Sequence, residues 1–142
     1  ISDKDNADCE MIRKGGLACT KDYDLYLKKV MEFQESDNPL SHIRKFDIRK
    51  GDATEQLSAY LKEHPETIIS LAFFDFDIYE PTKKCLDLIK PHLVKGSVLG
   101  FDELCCHDSP GETRALNEVF GLNNIRLERY PYTARVSYFK VE

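Results

Sequence analysis

A chain of 142 residues that is 42% apolar and 32% charged is one ordinary soluble domain, large enough to bury roughly 70% of its unfolded surface without disulfides or a structural metal. Its 20 Lys and Arg stand scattered among 25 Asp and Glu, for a net charge of -5. That excess of acid argues against nucleic acid, whose phosphate backbone is bound by clustered basic residues.

The most continuous apolar stretch, Ile68 to Phe74, is interrupted by Ser70 and is far shorter than the ~20 residues that span a bilayer, so no membrane partner is expected. Cys9, Cys19, Cys85, Cys105 and Cys106 are odd in number and lack a C-x-x-C spacing. This disfavours a disulfide framework and a zinc ribbon, and points to a reducing, cytoplasmic setting. Ile1-Ser2-Asp3-Lys4-Asp5 has neither an initiating Met nor a signal layout, which implies a fragment or a processed product.

Residues 1 to 19 carry Gly15-Gly16 and no periodicity, and read as a loop or arm; residues 20 to 142 read as part of a single α/β domain. Tyr23, Tyr26, Leu27, Val30 and Met31 recur at helical spacing, with Thr20 placed to cap and Asn38-Pro39 to stop the helix. His42 to Arg49 alternates weakly and predicts a strand that ends in the turn Gly51-Asp52. A second helix follows, capped by Thr54, striped by Leu57, Tyr60 and Leu61, and ended by His64-Pro65. Thr67 to Phe76 is β-branched and aromatic at even and odd positions alike, the pattern of a parallel strand covered on both faces.

Pro81 suits the start of a third helix whose face is Cys85, Leu88, Ile89 and Leu93. Lys95-Gly96 then turns into a short buried strand, Ser97 to Phe101. Ser109-Pro110-Gly111-Glu112 reads as a capping box for a fourth helix with Leu116, Val119 and Phe120 inward and Gly121 closing it. Arg126 to Tyr130 and Arg135 to Val141 flank Pro131-Tyr132-Thr133 as a terminal antiparallel hairpin. The order implies a mostly parallel sheet wrapped by helices, and in such sheets ligands bind at the carboxyl ends of the strands.

Acids stand at those ends: Asp52 after one strand, Asp75 and Asp77 after the next, Asp102 and Glu103 after the third. Uncompensated carboxylates that converge repel one another, so either a cation or backbone donors must hold them; oxygen-only ligands would suit Mg²⁺, Mn²⁺ or Ca²⁺ better than zinc. Taken singly, Asp52 could equally fill a turn and Asp77 cap a helix. Cys105-Cys106-His107-Asp108 offers a thiol beside an imidazole, but adjacent cysteines rarely ligate one metal, and structural cysteines are the simpler reading. His107 stays a candidate base. His42, His64 and His92 need no special role, and Tyr130, Tyr132 and Tyr138 either line a ligand or pack the hairpin.

The segment Phe73-Phe74-Asp75-Phe76-Asp77-Ile78-Tyr79-Glu80-Pro81-Thr82, followed by Pro91-His92-Leu93-Val94-Lys95-Gly96 and by Gly100-Phe101-Asp102-Glu103, resembles the macrocin O-methyltransferase family of S-adenosylmethionine-dependent enzymes, from about Ile43 to Phe120. The resemblance implies a Rossmann-like methyltransferase sheet, incomplete in this chain, and transfer of a methyl group to a hydroxyl of a sugar or other natural product. It implies Mg²⁺ held by Asp75, Asp102 and Glu103, with Asp75 as leading base and His107 second. Asp52 and Ala53 would contact the adenine of the cofactor.

Two departures accompany it. The family usually has Asp-Asp where this chain has Asp102-Glu103, and its Gly-rich cofactor loop would precede Ile1. The family's first two strands would lie between the strand read at 43 to 49 and that at 67 to 76. The chain is therefore expected to be a carboxyl-terminal part, inactive alone, with an unpaired apolar edge suited to association with a second copy. Phe73-Phe74-Asp75-Phe76-Asp77 also resembles the start of haloacid-dehalogenase-type, Mg²⁺-dependent phosphotransferases, in which the first aspartate is the nucleophile. A non-catalytic, scaffolding module is the third reading.

Overall fold

The computed structural model describes residues 1–142 except 7, 11, 14 and 17. Its elements run α1 (Tyr23–Ser36), α2 (Ala53–Glu63), β1 (Ile69–Phe74), α3 (Tyr79–Ile89), β2 (Leu93–Phe101), α4 (Gly111–Phe120), β3 (Glu128–Arg129) and β4 (Ser137–Lys140), with short 3-10 turns at Lys90–His92 and Leu122–Asn124. The sheet order is β1-β2-β4-β3, with β1 and β2 parallel and the other two pairings antiparallel. This is the α/β architecture and the terminal hairpin expected from the sequence. No helix among the described residues is long and apolar enough to cross a membrane.

Register decides which side chains share a face. Ala72 lies opposite Leu99, Phe74 opposite Phe101, and Leu99 opposite Phe139, so these residues form one apolar layer. On it α3 lays Cys85, Leu86 and Ile89, and α4 lays Ala115 and Leu116; all are buried. Phe74, Phe101 and Phe139 stack in sequence, with ring centroids 5.1 and 6.4 Å apart. A bulge between Ile69 and Leu71 is bridged by Ser97, whose hydroxyl donates to the Ile69 carbonyl (2.7 Å) and accepts from the Val94 N–H (2.9 Å).

The opposite face is bare. Leu71 and Phe73 are 67% and 55% exposed, so β1 is covered on one side only, contrary to the two-sided burial its apolar composition predicts. The reason is that composition records what a strand could bury, whereas the covering element must come from elsewhere in the fold. β1 is also an edge strand of the sheet formed by the described residues. Gly100 matters on this face: a Cβ there would stand 2.9 Å from the Phe73 ring, which lies across it.

The strand expected at 43 to 49 is not formed, because no neighbouring strand offers a ladder to those residues among the described ones. Side chains anchor the segment instead. Lys45 donates to Glu35 (3.0 Å), Arg49 pairs with Asp47 and Glu63, and the Arg49 guanidinium lies 5.0 Å from the Tyr60 ring centre.

The helix starts also differ from expectation. Asp52, not Thr54, caps α2, its Oδ1 accepting from the N–H of Thr54 (2.9 Å) and Glu55 (3.3 Å). Helix α3 begins at Tyr79, two residues before Pro81. Its N-terminus is capped from a distance by Asp5 of the amino-terminal arm, whose Oδ1 accepts from the Tyr79 N–H at 2.7 Å. Lys4 adds a bond to the Tyr79 hydroxyl (2.8 Å) and sits 4.1 Å from its ring centre, so the arm is strapped onto α3.

Candidate functional site

Because Phe74 and Phe101 are in register, the residues that follow them emerge side by side at one rim. The Asp102 N–H donates to the Phe74 carbonyl (3.0 Å), which extends the pairing one step beyond the strands and sets Asp102 beside Asp75. Asp75 is exposed, Asp77 and Asp102 are half-buried, and Glu103 is buried. Of the five acids expected at strand ends, Asp75, Asp77, Asp102 and Glu103 follow β1 and β2 at this rim, whereas Asp52 has no strand before it among the described residues and caps α2 instead.

Its electrostatics follow from crowding. Burial, and then the charges of Glu103, Asp75 and Asp102, push the Asp77 carboxyl above its usual range. Burial, followed by Asp75 and Glu103, raises Asp102 in the same way. Burial works to raise Glu103 too, but hydrogen bonds from Cys106 and Arg135, and then Ser109, hold it below the ordinary range. Arg135, which precedes β4, forms the ion pair with Glu103 and is the basic group that faces this rim.

The metal expectation does not fit this arrangement. Among the described residues no group of three or more His, Cys, Asp or Glu side chains is placed to hold a metal ion. Asp75, Asp102 and Glu103 share the rim, yet Glu103 is turned to a guanidinium and not to a common point with the aspartates. A longer Glu in place of the family's second Asp can reach sideways to such a partner, and here it does.

His107 is not gathered to the acids. Its side chain is 94% exposed, with only Asp108 near its Nδ1 (3.5 Å). Cys105 is exposed and holds a left-handed φ of 62°, while its N–H donates to the Thr113 hydroxyl (2.8 Å). Asp52 stands at the head of α2, where the Thr54 hydroxyl and the Glu55 and Thr54 amides keep its carboxyl below the usual range. Ala53 lines an open hollow of about 400 Å³ with Asp47, Arg49, Gln56, Leu57 and Tyr60. Leu57 and Tyr60 give it apolar and aromatic surface, and Asp47 and Arg49 give it polar groups, a chemistry that suits a flat heterocycle with exocyclic donors.

Glu112 is the residue sequence reasoning misplaced. The capping-box reading pairs it with Ser109, but it is 0% exposed, and the cap residue is Pro110, which offers no side chain for the reciprocal bond. Its Oε1 accepts from the N–H of Phe76 (3.0 Å) and of Asp77 (3.4 Å), and its Oε2 from that of Glu103 (3.3 Å). Burial raises its pKa to about 7 despite these three donors, with the charge of Asp77 adding to the rise. The one signal available in the sequence was Gly111 before it, a residue that lets a helix start approach another backbone closely.

No protein-family model and no curated protein matches the sequence. Solved structures do. The apo structure of CalS11, a TDP-rhamnose 3'-O-methyltransferase of calicheamicin biosynthesis, superposes with a TM-score of 0.81 at 38% identity over 87% of this chain and 54% of that one. A second structure of CalS11, described as a calicheamicin methyltransferase, gives 0.88 at 35% identity over 96% of this chain and 55% of that one. The chain spans about half the length of the proteins it matches. Its four-stranded α/β sheet is thus part of a methyltransferase fold, with the acidic rim at the carboxyl ends of the two parallel strands.

Proposed function

We propose that this chain is the acceptor-side part of an S-adenosylmethionine-dependent O-methyltransferase acting on a hydroxyl of a sugar or other natural product, in the manner of the macrocin family. One observation carries the reading: Asp75 and Asp102-Glu103 leave two in-register parallel strands at one rim, in a chain 35–38% identical to a sugar O-methyltransferase over most of its own length. A dehalogenase-like phosphotransferase has no comparable support.

When bound, the cofactor supplies an electrophilic methyl group. Asp75, exposed at the end of β1, is suited to accept the proton of the acceptor hydroxyl at a carboxylate oxygen and to release it to water. Asp102 and Asp77 stand beside it as further carboxylates of the same rim. Arg135 neutralises Glu103 and keeps it from competing for the same proton. The hollow beside Ala53, the residue that follows the cap Asp52, is the proposed seat of the adenine.

The coverage of about half of CalS11, and the absence of a G-x-G-x-G segment from these residues, support a chain that needs further residues to hold the cofactor and that does not act alone. The free edge and bare face of β1 would be covered by those residues or by a second copy. Five free thiols among the described residues fit a reducing, cytoplasmic setting. Isothermal titration of S-adenosylmethionine into this chain and into the full-length product of its gene, each with and without Mg²⁺, is the test. Binding by the full-length product alone supports the reading; binding by neither overturns it.

A further inference from the structure

Glu112 reaches from the first turn of α4 to both strand ends at once, although it is closed off from water. A buried carboxylate is costly unless it is well hydrogen-bonded, so its placement calls for a reason. The three amides it accepts from belong to the two turns that carry the acids, those of Phe76 and Asp77 after β1 and that of Glu103 after β2.

The first of these turns needs holding. Asp77 sits at φ 60°, a region that residues with a side chain rarely occupy, and the Ile78 N–H donates to the Phe76 carbonyl (2.7 Å) across it. Such a tight turn persists only where its surroundings over-determine it. Helix α4 comes close enough to do so because its first residue is Gly111: a Cβ there would stand 2.4 Å from the Tyr79 nitrogen and 2.6 Å from Asp5 Oδ1.

We infer that Glu112 is a positioning residue for the acidic rim, its two carboxylate oxygens tying the turn after β1 to the turn after β2 and so fixing Asp75 relative to Asp102 and Glu103. Both turns lie outside regular elements, and apart from the bond between Asp102 and Phe74 nothing else described links them directly. Displacement of a reacting group by about 1 Å can lower a rate about 100-fold, so such a tie has leverage on chemistry without touching substrate. Its consequence for turnover rests on the methyl-transfer reading proposed above; the tie itself does not.

Glu112→Gln separates these. The carboxamide has the same shape but a single acceptor oxygen, so it can serve one turn and must set its own donor against the amides of the other. In this chain, amide hydrogen exchange followed by NMR is expected to quicken about 10- to 100-fold at the Phe76 and Asp77 pair or at Glu103, with Leu99 and Phe139 in the sheet unchanged. Glu112→Asp keeps both oxygens on a shorter arm and is expected to fall between. In the full-length product, with S-adenosylmethionine and TDP-rhamnose as probes, kcat is expected to fall about 10- to 100-fold while KM for the cofactor stays within about twofold.

Unchanged protection at all three amides in Glu112→Gln would overturn the tie. If that variant does not fold, the wild-type chain decides: exchange at Phe76 and Glu103 as fast as in an unstructured peptide overturns it, and strong protection supports it. A wild-type protein that transfers no methyl group, while the variant loosens the amides as expected, would sink the methyl-transfer reading and leave the tie standing.

Discussion

The two faces of the sheet are built from similar residues and meet opposite fates. On one, Phe74, Leu99, Phe101 and Phe139 are closed over by α3 and α4 to within a few per cent of complete burial. On the other, Leu71 and Phe73 of the same strand stand more than half exposed beside an unpaired edge. At roughly 25 cal/mol per Å² of apolar surface removed from water, full burial of such a side chain is worth about 1.5–3 kcal/mol, of which each here forgoes more than half. Apolar residues in a strand therefore state a capacity to be covered, and only topology determines whether it is used.

The largest expected effect breaks the covered face. Phe101 is fully buried between two stacked rings, so Phe101→Ala should lower stability by about 3–5 kcal/mol through lost burial and the cavity left behind. Urea unfolding would measure it. A loss under about 1 kcal/mol would mean that the layer does not carry the fold.

Next is the seam where the covered layer meets the rim. The folded pKa of Glu112, about 7, lies above its ordinary 4.5, so the fold favours the protonated form below about pH 7, and the carboxylate that accepts from all three amides is the form above it. Its contribution is fully present below about pH 4.5 and is lost as pH rises through about 7, a change of about 3 kcal/mol. Asp77 and Asp102, shifted upward, add to the same slope, and Glu103, held down by Cys106, Arg135 and Ser109 against its own burial, opposes it. Glu112→Gln should flatten the stability profile between pH 5 and 7.5. An unchanged slope would show that the other acids produce it.

A smaller effect belongs to the strap. Ile78, the cap residue of α3, makes no side-chain bond, and Asp5 fills that role from the arm. Asp5→Ala should cost about 1 kcal/mol in thermal or urea unfolding, the worth of a helix cap, and should free Lys4 from Tyr79. No change would mean that the arm leaves the helix in solution.

The order of elements was readable because period, caps and turn glycines agree locally: four helices, the first parallel strand and the hairpin appear near their expected bounds, while β2 begins at Leu93, expected on α3, and runs through Lys95-Gly96, expected to turn. The segment at 43 to 49 failed because a strand exists only through its partner, and weak alternation says nothing about whether one is present. For the rim, acids after apolar strands were enough to place Asp75, Asp77, Asp102 and Glu103 together. What could not be read were the partners that come from afar. Arg135, 32 residues from Glu103, decides that Glu103 faces a guanidinium, and Glu112 was legible as a helix residue but not as a buried one. His107 shows the reverse: its neighbours in sequence suggest chemistry, and its exposure removes it from the acids.

The bare face gives the smallest change in stability and the sharpest contrast. Leu71, 67% exposed, loses little when made polar, so Leu71→Lys should alter unfolding by no more than about 0.5 kcal/mol. A positive charge on an exposed strand beside an open edge should nonetheless weaken self-association, because like charges would be brought together whenever two such faces meet. Sedimentation velocity across a concentration series distinguishes the cases. If the wild-type chain associates and Leu71→Lys is monomeric, the bare face is an interface. If Leu71→Lys instead unfolds the chain at the scale expected of Phe101→Ala, the side chain is covered in solution, and the contrast between the two faces belongs to the isolated chain alone.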